Sequence, residues 1–461
     1  MINLSINALA GATGGSFEVF KMVGPRPTRV AVRVPCLEAN EFRFPEGVKC
    51  RDRPLGFCWS ADYEALNALL GLPPCASKKM ERVMASIIAD VIIAGPLKRT
   101  SYSRSCEFYL HPARYRQMDY GYDTVVGAVD RLVMAGFLVE HYKAPSRTTG
   151  TGWQSSFIGA PALYQVGSIP KVKRRSGEVI RMKDAKTGRL VDYVDTRRTA
   201  ADRKFIEAVN ARIANANIYL NAPSIESRDL HVIRFKVDDD HGVHAVYPGL
   251  NQLYRVYNGG WTLGGRFYGG WWQGVRAEDR QHFIIDGEPT VEKDYEMLHP
   301  RLLYAQAGEV AAGDAYTIDG WDRKVCKRAF NILLNTSSFP EAKATIASKL
   351  LSGDVTAALK LIEALKCKHF RVRKFFHSRI GIRLQNLDAE MAKIVLTEMT
   401  LRRGITVLPI HDSFIVPVSS LDCLTVVMKD AFDRVTTAQC KLGKYNASEA
   451  IANEVVENPL W

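Results

Sequence analysis

Between residues 407 and 417 the chain reads VLPIHDSFIVP, two runs of β-branched and apolar residues separated by an adjacent histidine and aspartate. Apolar runs on both sides of a short polar pair specify a strand, a tight turn and a second strand. The pair then sits at a hairpin tip, which commits this part of the fold to antiparallel pairing. Two readings of His411 and Asp412 stand. They are ordinary turn residues, because Asp and Ser close tight turns through side-chain to backbone hydrogen bonds. Alternatively, the turn holds a carboxylate rigidly enough to grip a cation, which requires a second carboxylate from elsewhere in the chain.

A second segment supplies one. FIIDGEPTVEKD, residues 283–294, reads as two short strands around an Asp-Gly turn. LHPRLLYAQAG then reads as a helix with Pro in its first turn and Gly at its end. Asp294 therefore falls where a strand hands over to a helix, and Asp412 falls at the tip of a hairpin. Two carboxylates on adjacent strand ends are what two-metal phosphoryl transfer requires. The ions lie about 3.5–4 Å apart, one activating the attacking hydroxyl and one stabilising the leaving pyrophosphate. Mg²⁺ suits such a site, since it prefers carboxylate oxygens together with substrate phosphates.

The rest of the composition is compatible with that chemistry. With 461 residues, 47% of them hydrophobic, the chain is long enough for two to four globular domains. Its 62 Lys and Arg against 49 Asp and Glu give a formal charge of +13, which points to a polyanionic partner, nucleic acid first and an acidic membrane surface second. No apolar run reaches the length of a membrane span, and the opening MINLSINALAGATGG lacks the basic start and apolar core of a secretory signal. The expectation is a cytoplasmic protein without membrane contact. Nine cysteines form no C-x-x-C pair, so they read as reduced thiols rather than a zinc module or disulfide framework.

Residues 1–55 contain extended-looking pieces such as TRVAVRVP and carry no assignable function. ADYEALNALLGL and KKMERVMASIIADVIIAG show helical spacing, each ending near Gly. Residues 120–166 read as an amphipathic helix stopped at Gly136, the strand FLVEHY, a Gly/Ser/Arg-rich tip and a second strand. That order resembles the recognition helix and wing of winged-helix DNA-binding domains. The resemblance implies a helix entering the major groove, with Thr124 and Arg131 on it, and a wing tip carrying Lys143 and Arg147 against the phosphate backbone. Asp123 and Thr124 are candidates for capping this helix. A helix and hairpin that merely pack is the competing reading. Between residues 171 and 204 there are twelve Lys or Arg against five Asp or Glu, read as a basic hairpin joining two domains. ADRKFIEAVNARIANANIYL then opens the second domain as a helix. The expected divisions are 1–55, 56–168 (winged-helix-like), 169–204 (basic hairpin or linker) and 205–461.

Five ordered pieces within residues 255–418 carry a further resemblance. DYEMLHPR is similar to the DYSQIELR motif of family A DNA polymerases, and HDSF is similar to the HDSF of phage-type single-subunit RNA polymerases, whose DNA-synthesising relatives carry HDE. WTLGGRF, with Thr262 and Arg266, resembles their shared T-x-x-G-R. GDAYTIDGWDRKVCKRAFNILLNT, residues 313–336, resembles their fingers helix, with Arg323 and Lys327 one turn apart on one face. RLQNLDAEMAKIVLTEM, residues 383–399, resembles their palm helix. The resemblance implies an α+β chain in which the winged-helix-like domain precedes a compact right-hand palm and fingers domain with an antiparallel palm sheet. It also implies two Mg²⁺ ions, with Mn²⁺ as substitute, held by Asp294, Asp412 and the backbone carbonyl of Tyr295. Lys327 and Arg323 would hold the nucleotide phosphates. Arg266 would contact template-primer or bridge palm and fingers, His411 would lie near the primer terminus, and Gln385 would reach the minor-groove edge. The implied activity is DNA-templated nucleotidyl transfer from nucleoside triphosphates on a primed template, without proofreading, in replication of a mobile element, phage or plasmid.

The departures are specific. The family's Tyr-Gly at the end of the fingers helix is replaced by Asn335 and Thr336, which alters the platform for the template base. His299 stands where the DNA enzymes carry a Glu that blocks a ribose 2′-OH, and its bulk favours deoxynucleotides. Ser413 replaces the Glu of HDE and leans toward RNA synthesis. A primer-independent RNA polymerase or primase, and a non-catalytic DNA-binding replication initiator, are the alternatives. Asp238, Asp239 and Asp240 read as a solvated hairpin tip, and Trp261, Trp271 and Trp272 as core.

Overall fold

The computed structural model of the chain describes residues 17–23, 26–32 and 53–442, apart from short stretches of which 144–152 is the longest. The chain begins with strands β1 (Phe17–Val23), β2 (Arg26–Val32), β3 (Arg53–Pro54) and β4 (Trp59–Ser60), then helices α1 (Tyr63–Leu70) and α2 (Lys78–Ala94). β5 (Thr100–Ser101), α3 (Tyr122–Met134), β6 (Leu138–Lys143), β7 (Trp153–Gly159) and β8 (Lys173–Arg174) follow. Next come β9 (Ile180–Lys183), β10 (Leu190–Val191), α4 (Arg197–Asn215), β11 (Ile218–Leu220), β12 (Ile225–Arg228), β13 (Ile233–Asp238) and β14 (Gly242–Val246). After them run β15 (Asn251–Asn258), β16 (Gly264–Gly270), β17 (Phe283–Ile285), β18 (Glu288–Asp294), α5 (Leu298–Gln306) and α6 (Arg323–Asn335). The chain finishes with α7 (Phe339–Leu350), α8 (Val355–Lys368), α9 (Gly381–Val395) and its π-helical extension Leu396–Arg402, β19 (Leu408–Ile410), β20 (Ser413–Pro417) and α10 (Leu421–Leu442). The class is α+β.

Two compact units form, one from Met1–Glu178 and Pro223–Leu250, the other from Val179–Ala222 and Asn251–Trp461. This division departs from the expected boundaries in two places. The basic stretch forms the β9–β10 hairpin, but β9 also pairs in parallel with β15, burying Ile180 and Met182. Alternating apolar residues therefore make residues from 179 onward part of a sheet rather than a linker. The second departure is the return of 223–250 to the first unit. There Gly249 lies so close to Trp59 that a Cβ would come within 2.7 Å of the ring, and Tyr247 faces Arg53 at 5.6 Å.

In the first unit Ser77 caps α2 and buried Val83, Met84, Ile87, Ile88 and Val91 form its inner stripe. α3 lies against it, burying Val125, Val129 and Leu132. The expected order of helix, Gly136 stop and antiparallel hairpin is present as α3, Gly136 at φ +78°, and β6 paired with β7. The cap lies at Gly121, two residues before Asp123: the Thr124 hydroxyl accepts the Gly121 N–H at 3.0 Å and donates to the Asp119 carbonyl at 2.6 Å. Beneath α3 and β6, Arg104 bridges Asp130 and Glu140 in a buried cluster.

The second unit holds two sheets. Strands β11-β17-β18-β20-β19 form one, antiparallel throughout, and β10-β9-β15-β16 form the other. α9 packs along β16, and α10 packs on α9, α5, β18 and β20. Trp271 and Trp272 are core residues, the latter donating its indole N–H to the Pro409 carbonyl at 3.0 Å. α6 starts at Asp322, whose carboxylate accepts the Val325 N–H, so only the second half of the expected fingers segment is helical. Where α6 ends, Asn335 lies so close to the start of α9 that a Cβ on Gly381 would sit 2.1 Å from its Oδ1. Asn335 is exposed and its amide can turn aside, so Gly381→Ala is expected to change stability by less than about 1 kcal/mol, the helical preference of Ala offsetting the displaced amide, read as a nearly unchanged urea midpoint.

Candidate active site

Strand pairing brings the two aspartates together. The β18–β20 register sets Asp294 opposite Ser413, and the Tyr295 N–H donates to the Asp412 carbonyl at 3.2 Å. Ile410 pairs with Ser413, leaving His411 and Asp412 as a two-residue hairpin loop. Loops of this length require a positive φ at their first position, and His411 supplies it at +56°. A non-glycine residue there costs about 1–2 kcal/mol, so its surroundings must hold it. The ring stands edge-on to Tyr268 at 5.4 Å, and its buried Nδ1 has no hydrogen-bond partner among the described residues.

A third carboxylate stands behind the pair. Asp388, buried on α9, holds the Arg266 guanidinium of β16, and charge on Asp412 reaches it. Burial pushes the Asp388 carboxyl up to about 6 against the pull of Arg266. Asp294, at the solvent edge, is raised by partial burial first and then by Asp412, Glu292 and Glu296, while Lys327 opposes the rise. A cation placed between these carboxylates would relieve their mutual repulsion. Neither Asp294 nor Asp412 is taken up by an ion pair among the described residues.

The cationic side comes from α6. Arg323 pairs with Asp314 at 2.6 Å, and both Arg323 and Lys327 stand over the Tyr316 ring, at 5.5 and 6.0 Å. His299, on α5, feels Arg266, Lys327 and Asp412 together and so marks the centre of the group. Burial, then the two cations, lowers it to about 4, so it is neutral at pH 7. The signs of the two internal groups oppose each other on acidification. His299, depressed in the fold, gives stability that is present above its ordinary value and lost as pH falls toward 4. Asp388, raised in the fold, gives stability that grows as pH falls from about 6 to 4. His299→Gln is therefore expected to flatten the loss of stability between pH 6.5 and 4, and Asp388→Asn to steepen it, measured by urea midpoints across that range.

The turn that carries Thr262, Gly265 and Arg266 is clamped on both sides. Asn386 donates to the Trp261 and Gly264 carbonyls, and buried Arg255 donates to the Gly265 carbonyl at 2.6 Å. Arg255 also reaches Glu390 at 2.8 Å and Asp202 at 3.7 Å. Gln385 is half-buried one turn before Asp388, and the spacing places both on one face of α9. Ser413 donates to Glu292 at 2.6 Å, and Arg280 grips the same carboxylate with two bonds. Asn335 spends its amide on the Asn331 carbonyl, and Arg301 pairs loosely with Glu296 at 3.9 Å. Tyr295 sends its hydroxyl to the Met428 carbonyl at 2.7 Å, so only its backbone faces the site.

Sequence reading passed over Asp388, although it lies three residues after Gln385 in a segment already singled out. Its helical spacing from Gln385 is the one signal that could have found it. Glu292 was also missed, because a charged residue two positions before Asp294 reads as an outer-face strand residue until Arg280 and Ser413 are seen around it.

Among the described residues no group of three or more His, Cys, Asp and Glu forms a ready-made metal cage. An open set of two carboxylates and a backbone carbonyl still suits Mg²⁺, which keeps waters and substrate phosphates as ligands. In the first unit, Thr124 is spent on its cap and Arg131 donates to the Pro74 carbonyl at 3.5 Å. Lys143 ends β6 opposite Trp153, and Arg147 lies outside the described residues, as do Asp239 and Asp240. No described helix is long and apolar enough to cross a membrane. Compared with family models and with curated proteins, the chain matches none.

Proposed function

We propose that the second unit is a right-hand polymerase core of family A type and performs template-directed nucleotidyl transfer, with deoxynucleotides as the favoured substrate. The observation that carries the reading is the convergence of Asp294 and Asp412 at one strand end, with Asp388–Arg266 behind them and the charge of Lys327 reaching Asp294. Asp294, Asp412 and the Tyr295 carbonyl would hold two Mg²⁺ ions, which when bound lower the barrier to hydroxyl attack and neutralise the leaving pyrophosphate. Lys327 and Arg323, which share the Tyr316 ring, would hold the triphosphate, and neutral His299 would fill space beside it without adding charge. Arg266 is held by Asp388 and would therefore meet the template-primer as a preset group rather than a mobile one. In this reading the antiparallel sheet is the palm, α6 the fingers helix, and the α3–β6–β7 unit a winged-helix-like DNA reader, together serving replication of a mobile element, phage or plasmid in the cytoplasm.

The test is extension of a labelled primer on a DNA template with the four dNTPs or the four NTPs, on primed and unprimed templates, with Mg²⁺ or EDTA. Mg²⁺-dependent, primer-dependent extension with dNTPs is the expected result. Extension from NTPs on unprimed template assigns an RNA polymerase or primase instead. No incorporation under any condition, with intact DNA binding, leaves a replication initiator.

A further inference from the structure

We propose that the segment 366–383, joining α8 to α9, is a docking surface for single-stranded nucleic acid, which under the reading above is the unpaired template ahead of the site. It contains seven Lys and Arg and no Asp or Glu. A solvated face ordinarily mixes signs, since like charges so close repel one another. Lys368, Arg373, Lys374 and Arg379 are exposed. Phe370 is 57% exposed, with the Arg371 guanidinium 5.0 Å from its ring centre and Glu309 holding Arg371 in place. Cations spaced along a segment with an open aromatic face match a strand that offers phosphates and unstacked bases.

The surface is preset. Val372 and Phe376 are buried beneath it, and His369, also buried, bonds the Ala315 carbonyl at 2.9 Å. The His377 N–H donates to the Leu333 carbonyl at 2.7 Å, which fastens the segment to the far end of α6. From Lys327 to Asn335 that helix advances about 12 Å, a distance that a few nucleotides of an unpaired strand cover. A strand leaving the site along α6 therefore reaches the segment within a few nucleotides.

The test uses the full chain, fluorescein-labelled oligo-dT and anisotropy across a salt series. Lys368→Ala/Arg373→Ala/Lys374→Ala is expected to weaken binding at least tenfold at near-physiological salt. The slope of log affinity against log salt is expected to shrink by about 2, three phosphate contacts on a single strand. Phe370→Leu, which keeps apolar bulk without the aromatic face, is expected to weaken binding about tenfold and leave the slope unchanged. Matching thermal melts establish that both variants fold. Wild-type affinity and slope in the triple variant overturn the proposal. So does loss of binding to anionic vesicles or to blunt duplex while oligo-dT binding is retained, which assigns the patch to a membrane or to a double strand. Should the protein never extend a primer while the variants lose oligo-dT, the surface stands and the polymerase reading falls. Should extension be found with oligo-dT binding untouched, the surface alone falls.

Discussion

Under the proposed polymerase function, replacing Asp412 with asparagine is expected to reduce Mg²⁺-dependent nucleotide incorporation by about 10³ or more, equivalent to about 4 kcal/mol of barrier, with the fold intact. Asp294→Asn is expected to match it. The side chains sit at a hairpin tip and a strand end, not in an ion pair among the described residues, so the amides leave no buried partner unpaired. Removing one of several mutually repelling carboxylates relieves the fold while it would weaken the proposed cation site. The two variants should therefore melt at or above the wild-type temperature. Single-turnover incorporation at saturating nucleotide and Mg²⁺, beside calorimetric melts, checks both halves. Incorporation within tenfold of wild type in either variant would sink the two-metal assignment. A collapse of the fold instead would mean the pair is structural.

Arg255→Met is expected to destabilise the second unit by about 3–5 kcal/mol, because it removes one partner from a buried ion network. Arg255 is fully buried and bonds Glu390 and the Gly265 carbonyl, with Asp202 at 3.7 Å and the Tyr257 and Phe267 rings stacked around it. Lys393 still pairs with Asp202, and half-buried Glu390 can return to water, so the lower end of that range is expected. For a unit of this size the loss lowers the melting temperature by roughly 6–12 °C. Arg255→Lys should fare little better, since one ammonium cannot span a carbonyl and two carboxylates. Scanning calorimetry reads the effect. A melting temperature within a degree of wild type would show that Asn386 alone holds the Gly264–Gly265 turn.

The clamp explains how a weak sequence signal becomes a placed residue. T-x-x-G-R is short enough to arise by chance, and Arg266 in isolation is only a cation on a strand. Gly265, at φ +86°, sits so close to Tyr257 that a Cβ would lie 2.8 Å from its ring, so this turn tolerates only glycine. That turn sets where β16 begins, and thereby sets Arg266 against Asp388.

What the sequence determined by itself was local. The β19–β20 hairpin with His411 and Asp412 at its tip, the Asp-Gly turn with positive φ at Asp286 and Gly287, and the glycine stops of α1, α2 and α3 all follow from residues within a turn of one another. Only the tertiary structure decided the rest. Arg266 and Asp388 are 122 positions apart, and Arg255 and Glu390 are 135 apart. Such pairs depend on α9 lying along β16, which no helical or strand period specifies. The return of 223–250 to the first unit was invisible for the same reason, since alternating strands read alike whichever core they cover. Periodicity says that a face is buried, while packing alone says against what.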